Sequence, residues 1–171
     1  MPMWAPGIWT ARSRGFTLLE VLVTLLLVGI LTGLAVLAVG GDGGAARLRA
    51  EAERLAALID LHRTEALLRG EQRGVLFTEG GYRFLSLDAG GEWLAAEGAS
   101  GDRRELPADI RQRLVVEGRE VVLAETATIP QVLLLSSGET TEFDAVFVAD
   151  YQRGYQLSGD LVGRLALAEV P

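Results

Sequence analysis

Cysteine and lysine are both absent from the 171 residues of this chain, and histidine occurs once. Without cysteine there is no disulfide bond and no thiolate metal site, so the fold depends on a packed core. Without lysine there is no phosphate-binding loop of the G-x-x-x-x-G-K type. The sequence SSG at residues 136–138 lacks the form of a nucleophile elbow, and His62 is the only imidazole available as a base. We therefore predict a turn at residues 136–138 and no catalysis.

Positive charge is also scarce. The formal net charge is −7, and without Arg12 and Arg14 the rest of the chain has 14 basic against 23 acidic residues, a net charge of −9. This balance disfavours nucleic acid and other polyanionic partners. It leaves open a local basic patch at four arginines: Arg103, Arg104, Arg111 and Arg113.

A long uncharged run follows the basic front of the chain. Residues 21–41 are 21 consecutive residues without a charge. A helix of that length reaches about 31 Å, the thickness of a bilayer's hydrocarbon core. We predict a membrane-spanning helix at residues 16–41. Because the cytoplasmic flanks of membrane spans are basic, Arg12 and Arg14 predict a cytoplasmic N terminus and an outer domain beyond Gly41.

The stretch RSRGFTLLEV, residues 13–22, places the carboxylate of Glu20 near the start of this span. A carboxylate at membrane depth costs on the order of a few kcal/mol unless a cation pairs with it. A secretory signal has its cleavage site behind the apolar core, whereas here Gly15 and Phe16 precede it. Cleavage between them would keep the apolar helix attached and create an α-amine at Phe16, one helical turn from Glu20. We expect this amine to pair with Glu20, within one chain or between neighbours.

The sequence RGFTLLEVLVTLLLVGIL resembles the leader and N-terminal helix of type IV pilins and type II secretion pseudopilins. The shared features are a basic leader, glycine before the cut, phenylalanine after it and glutamate at the fifth position after the cut. The resemblance implies that residues 1–15 are a leader removed by a prepilin peptidase, that the Phe16 amine is methylated, and that Glu20 serves assembly. A plain signal anchor with a chance glutamate is the alternative.

Residues 45–70 have helical periodicity and predict an amphipathic helix that ends at Gly70. Its apolar face consists of Leu48, Ala52, Leu55, Ile59, His62 and Ala66. On this face His62 is expected to be a buried imidazole and not a catalytic one. Arg47 with Glu51, and Arg49 with Glu53, are spaced to pair on the outer side. Between span and helix, GGDGG at residues 40–44 predicts either a linker or a hinge within one long helix.

Residues 71–171 predict a domain of antiparallel strands. A hairpin is expected to turn at Gly80 and Gly81, a second turn at Gly90 and Gly91, and an exposed loop at residues 95–105. Further strands are expected at residues 114–116, 120–123, 131–135, 141–149, 155–157 and 164–167. Alternation in residues 141–149 predicts one buried face. The fold class is α+β, with a long N-terminal helix packed on antiparallel sheet, and the resemblance implies that it is type IV pilin-like.

Asp144, Asp150 and Asp160 are candidates for a calcium site, which some pseudopilins have. Their spacing matches no calcium-binding loop, so solvated carboxylates are preferred. We predict no metal and no cofactor.

Later stretches sharpen the resemblance. AERLAALIDLHRTEALLRGEQRGVLFTEGGYRFLSLD, PQVLLLSSGETTEF and YQLSGDLVGRLAL occur in the order found in H-type minor pseudopilins of the general secretion pathway. The resemblance implies a single-pass protein of the bacterial inner membrane with a periplasmic domain. It implies assembly with the major pseudopilin and other minor pseudopilins, near the tip of a periplasmic filament, through the inner-membrane secretion platform. That filament exports folded proteins across the outer membrane. The alternatives are a type IV minor pilin, for pilus assembly or DNA uptake, and an unprocessed membrane-anchored binding domain.

Overall fold

A computed structural model of the chain describes residues 17–98, 101, 103–149 and 154–171, without the side chains of residues 34–43. Within these ranges there are one helix, α1 (Leu18–Arg69), and ten strands. The strands are β1 (Arg73–Thr78), β2 (Gly81–Leu87), β3 (Trp93–Ala95), β4 (Arg104–Glu105), β5 (Ile110–Val116), β6 (Arg119–Val121), β7 (Val132–Leu134), β8 (Phe143–Ala149), β9 (Gly154–Gly159) and β10 (Leu165–Val170). The chain divides into two units, Met1–Gly41 and Asp42–Pro171. The second unit has the predicted α+β fold.

In the first unit, the described side chains of α1 are almost all apolar and exposed. Eleven large apolar residues between Leu18 and Leu31 are at least 45% exposed. Among the residues whose side chains are described, no helix is both long and apolar enough to cross a membrane. Part of the predicted span, residues 16–41, lies outside the described side chains. The helix bounds include GGDGG, and a hinge there remains a prediction.

In the second unit, α1 buries the apolar face that the periodicity predicts. Leu48, Ala52, Leu55, His62 and Ala66 are fully buried and Ile59 is 1% exposed. The helix ends before Gly70, whose φ of +67° is a left-handed conformation that favours glycine. The exposed pair of Arg49 and Glu53 is confirmed, with Nε 2.7 Å from Oε1. The outer placement of Glu51 is wrong, because its side chain turns inward and is only 5% exposed.

Two antiparallel sheets face this helix. Sheet I has the strand order β3-β2-β1-β7, with β4 also paired to β2, and sheet II has the order β10-β9-β8-β5-β6. Gln112 of β5 joins the sheets, since its side-chain amide donates to the carbonyls of Thr78 and Gly81 at 2.6 Å each. The central apolar cluster contains residues from α1 and from both sheets. The fold is therefore one helix and two sheets around a shared core.

Most strand predictions are confirmed, and two details are corrected. Each of the six later runs overlaps an observed strand, and β8 buries Phe143, Ala145 and Phe147 on the predicted face, with Val146 of the opposite face buried as well. The first hairpin turns at residues 79–80, because Gly81 already pairs with Thr78 in the ladder. The exposed loop at residues 95–105 is wrong in part. Ala96 is buried, and residues 104–105 form β4 on the edge of β2.

Candidate functional site

Thr17 marks the beginning of α1, next to the predicted processing site. The Glu20 backbone N–H donates to the Thr17 carbonyl at 3.0 Å and to its Oγ1 at 3.3 Å. This arrangement is an N-cap, and the sequence T-x-x-E is that of a capping box. Glu20 lies in the first turn of α1 and is exposed. The structure thus places Glu20 at the start of an exposed apolar helix.

The remaining predicted processing residues lie outside the described residues. They are Arg12, Arg14, Gly15 and Phe16. The pairing of a Phe16 amine with Glu20 therefore stays a prediction.

One buried polar contact between α1 and the sheets is centred on Glu51. Arg104 of β4 donates Nε to Oε1 at 3.0 Å and Nη2 to Oε2 at 2.7 Å, and the Tyr82 hydroxyl donates to Oε1 at 2.9 Å. A two-pronged guanidinium–carboxylate pair of this kind fixes orientation as well as distance. The pair therefore positions β4 against the helix.

These contacts determine the ionisation states of the Glu51 carboxyl and the Tyr82 hydroxyl. Burial is the largest single influence and acts to raise the pKa of the Glu51 carboxyl. The hydrogen bonds from Arg104 and Tyr82, with the charges of Arg104 and Arg54, outweigh it and lower that pKa below its ordinary value. Burial and the neighbouring carboxylate raise the pKa of Tyr82. Glu51 is accordingly a carboxylate and Tyr82 a phenol at neutral pH.

A second buried cluster joins the end of α1 to β1. Arg73 is 2% exposed, and its Nη1 lies 2.8 Å from Nδ1 of the fully buried His62 and against the carboxylate of Glu65. The His62 ring stacks on Phe84 with centroids 4.1 Å apart. Because the guanidinium can only donate, Nδ1 of His62 is the acceptor in this contact. The prediction of a buried histidine on the apolar face is confirmed.

Two of the four arginines considered for a local basic patch have carboxylate partners. Arg103 pairs with Glu125, and Arg104 pairs with Glu51. Arg111 and Arg113 project from the same exposed side of β5. The positive charge available to a polyanion at these residues is therefore reduced by two ion pairs.

The aspartates considered for calcium have protein partners where they are described. Asp144 Oδ1 accepts hydrogen bonds from Gln156 and Ser158, and Asp160 Oδ1 accepts from the N–H groups of Val162 and Arg164. Asp150 lies outside the described residues. Among the described residues, no group of three or more His, Cys, Asp or Glu is arranged to hold a metal.

Comparison with known proteins gives two family matches. Residues 10–39 match the prokaryotic N-terminal methylation motif, and residues 51–163 match the family Type II transport protein GspH. The Type II secretion system protein H of Pseudomonas aeruginosa is 36% identical, with 77% of this chain and 80% of the relative covered. The protein of the same name from Escherichia coli K12 is 26% identical, with 77% and 79% covered.

Solved structures share the fold. The crystal structure of the minor pseudopilin EpsH from the type II secretion system of Vibrio cholerae aligns with a TM-score of 0.63 at 22% identity, covering 74% of this chain and 95% of that one. The solution structure of Escherichia coli GspH aligns with a TM-score of 0.61 at 19% identity, covering 77% and 94%. These likenesses confirm the α+β, pseudopilin-like architecture.

The two matches follow the order that the sequence predicts, with a methylation motif in front and a secretion domain behind. The second match covers more than half of the chain. The resemblance to H-type pseudopilins is thereby confirmed, and the chain belongs to the Type II transport protein GspH family.

Proposed function

We propose that the chain is processed at its front and assembled as a minor pseudopilin near the tip of a type II secretion filament. One observation carries the proposal: the methylation motif at residues 10–39 and the secretion domain at residues 51–163 occur in one polypeptide. The first match identifies the type of processing, and the second identifies the machine. The role is structural, and the chain is a substrate of enzymes.

Processing begins with the leader, residues 1–15. Arg12 and Arg14 keep it cytoplasmic, a prepilin peptidase cuts between Gly15 and Phe16, and the new Phe16 amine is methylated. Glu20 then pairs with an amine, its own or a neighbour's. The position of Glu20 in the first turn of α1 supports this step, because the carboxylate is within one helical turn of the cut.

The apolar part of α1 supplies the anchor. Eleven large side chains between Leu18 and Leu31 are at least 45% exposed in the isolated chain. A continuous apolar surface of this kind is typical of a segment that contacts lipid or another protein. We assign it to the inner membrane before assembly, as a single span at residues 16–41, and to neighbouring helices after assembly. The N terminus is then cytoplasmic and the domain periplasmic.

The partners follow from this role. They are the prepilin peptidase, the inner-membrane secretion platform, the major pseudopilin and the other minor pseudopilins. A type IV pilin that takes up DNA is less well supported, since two of the four candidate arginines already hold carboxylates. A gel-shift assay with the purified chain tests that alternative, which salt-sensitive DNA binding would favour.

Mass spectrometry of the chain extracted from membranes tests the processing step. We expect an N-methylated Phe16 terminus in cells that contain the peptidase. An intact leader in such cells contradicts both processing and the pilin alternative.

Assembly is tested by engineered disulfide trapping near Glu20 to the major pseudopilin. The native chain has no cysteine, so an introduced one gives an unambiguous signal. We expect Glu20→Ala to abolish trapping and secretion. Thr17→Ala is the matched control, because it removes the helix cap and keeps the carboxylate. Normal secretion by Glu20→Ala would remove the assembly argument, as would an equal loss in both variants.

A further inference from the structure

A groove between α1 and the segment that joins β4 to β5 is lined by arginines, and we call it the arginine groove. Its volume is about 340 Å³. The lining residues are Arg47, Ala50, Glu51, Arg54, Arg104, Pro107 and Ile110. It lies entirely within the second unit and is separate from the apolar anchor and the processing site. None of the roles assigned above uses it.

Two of the three guanidiniums have donors to spare. Arg104 uses Nε and Nη2 on Glu51, while its Nη1 has no hydrogen bond to any described residue. Arg54 is exposed and forms no ion pair within the part of the chain that the structure describes, yet it is close enough to help lower the pKa of Glu51. Arg47 lies 3.4 Å from Asp109 at the rim. The groove therefore presents hydrogen-bond donors of Arg104 and Arg54 to whatever enters it.

The charge of the groove is opposite to that of the chain. Three arginines are accompanied by two carboxylates, Glu51 in the groove and Asp109 paired with Arg47 at the rim, in a protein of net charge −7. Glu51 is paired with Arg104 and also accepts from Tyr82, so its charge is not left over for Arg54. An arriving carboxylate would find the guanidinium of Arg54 and the spare Nη1 donors of Arg104, and guanidiniums bind carboxylates by charge-assisted hydrogen bonds.

The shape of the groove favours one side chain over a polymer. Ala50, Pro107 and Ile110 supply apolar wall that suits the methylene groups of glutamate or aspartate. A long polyanion would also meet the acidic remainder of the domain and be repelled. From these observations we propose that the arginine groove receives an acidic side chain from a neighbouring pseudopilin in the filament. This inference rests on the proposed function, because it names a lateral contact of the assembled protein.

The test uses the full chain in cells that contain the secretion system. A photo-crosslinking amino acid replaces Ala50, in the groove, or Ala57, which is exposed on α1 and outside it. We expect light to join the Ala50 variant to an identified pseudopilin subunit. Adding Arg54→Glu should lower the yield about tenfold, because like charges across an interface repel strongly. Arg54→Lys keeps the charge and should retain most of the yield.

Arg119→Glu is the control for the change in net charge, since Arg119 is exposed on β6 and does not line the groove. It should leave the yield unchanged. Equal yields at positions 50 and 57, no response to Arg54→Glu, or an equal response to Arg119→Glu would each overturn the proposal. So would crosslinks at position 50 to phospholipid or nucleic acid in place of a subunit.

Two measurements in the same cells monitor the proposed function separately. They are the detection of the methylated Phe16 terminus and the disulfide trapping near Glu20. If both persist while the Ala50 crosslink is absent, only the groove inference fails. If both are lost, the proposed function fails with it.

Discussion

Glu51 of α1 and Arg104 of β4 lie 53 residues apart in sequence and are joined by two hydrogen bonds of 3.0 and 2.7 Å. The carboxylate is nearly inaccessible and the guanidinium is partly exposed. This contact connects the helix to the shortest strand of sheet I. It also fixes one wall of the arginine groove.

Glu51→Ala should destabilise the domain by about 2 kcal/mol or more. The change leaves Arg104 and the Tyr82 hydroxyl without their acceptor, and unpaired groups at a buried site are costly. Urea unfolding of the full chain in detergent, followed by tyrosine and tryptophan fluorescence, measures the loss. The matched control is Glu53→Ala on the same helix, whose exposed pair with Arg49 should contribute about 0 to 1 kcal/mol. Similar losses for both variants would contradict a special role for Glu51.

Stability should fall in acid because of the same carboxylate. The pKa of Glu51 is lower in the folded protein than its ordinary value, so its contribution is complete above that ordinary value. The contribution is lost as pH falls from there through the lowered pKa, since the unfolded chain then binds the proton more readily. Glu51→Gln should make the unfolding free energy less dependent on pH in this acidic range. An unchanged slope would show that other carboxylates account for it.

Arg73→Met should destabilise the domain although methionine fits an apolar site. The guanidinium serves His62 and Glu65 at once, and the change leaves both without its donors. We expect a loss of about 3 kcal/mol, in the range for breaking a buried pair. Arg73→Lys should recover only part of it, because one ammonium cannot reproduce the planar fork. Arg69→Met is the control, as its 3.5 Å contact with Glu97 is exposed. Thermal unfolding of the three variants in parallel measures their losses of stability, which we expect to be largest for Arg73→Met, smaller for Arg73→Lys and smallest for Arg69→Met.

Gly81→Ala should disrupt the pairing of β2 with β4. An added Cβ would lie 1.9 Å from the carbonyl oxygen of Arg104, and backbone cannot yield as a side chain can. The neighbouring Gly80→Ala is the control, because its Cβ would meet only the ends of two side chains, Glu125 at 3.3 Å and Arg103 at 3.8 Å. We expect Gly81→Ala to cost about 1 to 3 kcal/mol, typical of overpacking, and Gly80→Ala to cost less. Faster amide hydrogen exchange at Arg104 and Glu105 in Gly81→Ala alone would show that the pairing of β2 with β4 is disrupted. Equal exchange rates in the two variants would contradict the prediction.

Elements that arise from local order were predictable. The apolar face of α1 follows from a period of three to four residues, and the left-handed Gly70 follows from the need to end the helix. The buried face of β8 follows from alternation. Glu20 was predictable as a candidate assembly residue because the prediction depends only on its spacing from Gly15 and Phe16, which are close in sequence.

The two buried charge clusters were not predictable in the same way. Glu51 falls three residues after Leu48 and four before Leu55, and this spacing places it on the apolar face of the helix. The spacing of Arg47 and Glu51 also fits an exposed pair, and this second pattern gave the wrong prediction. Its partner is fixed by a two-residue strand, which has no periodicity to detect. Arg73 follows a helix end and looks like a solvated turn residue. Its burial results from tertiary contact with His62.

The Thr17 cap bears on what happens when the leader is removed. Because Oγ1 of Thr17 accepts the N–H of Glu20, the helical start is set by a residue that the proposed cut leaves in place. A free amine at Phe16 would put a cation beside the positive end of the helix dipole, which is unfavourable by roughly 0.3 to 1 kcal/mol. The negative charge of Glu20, in the first turn, attracts this cation and interacts favourably with the positive end of the dipole. The processed terminus would therefore have a compensating negative charge within one helical turn from the moment of cleavage, before any neighbour arrives.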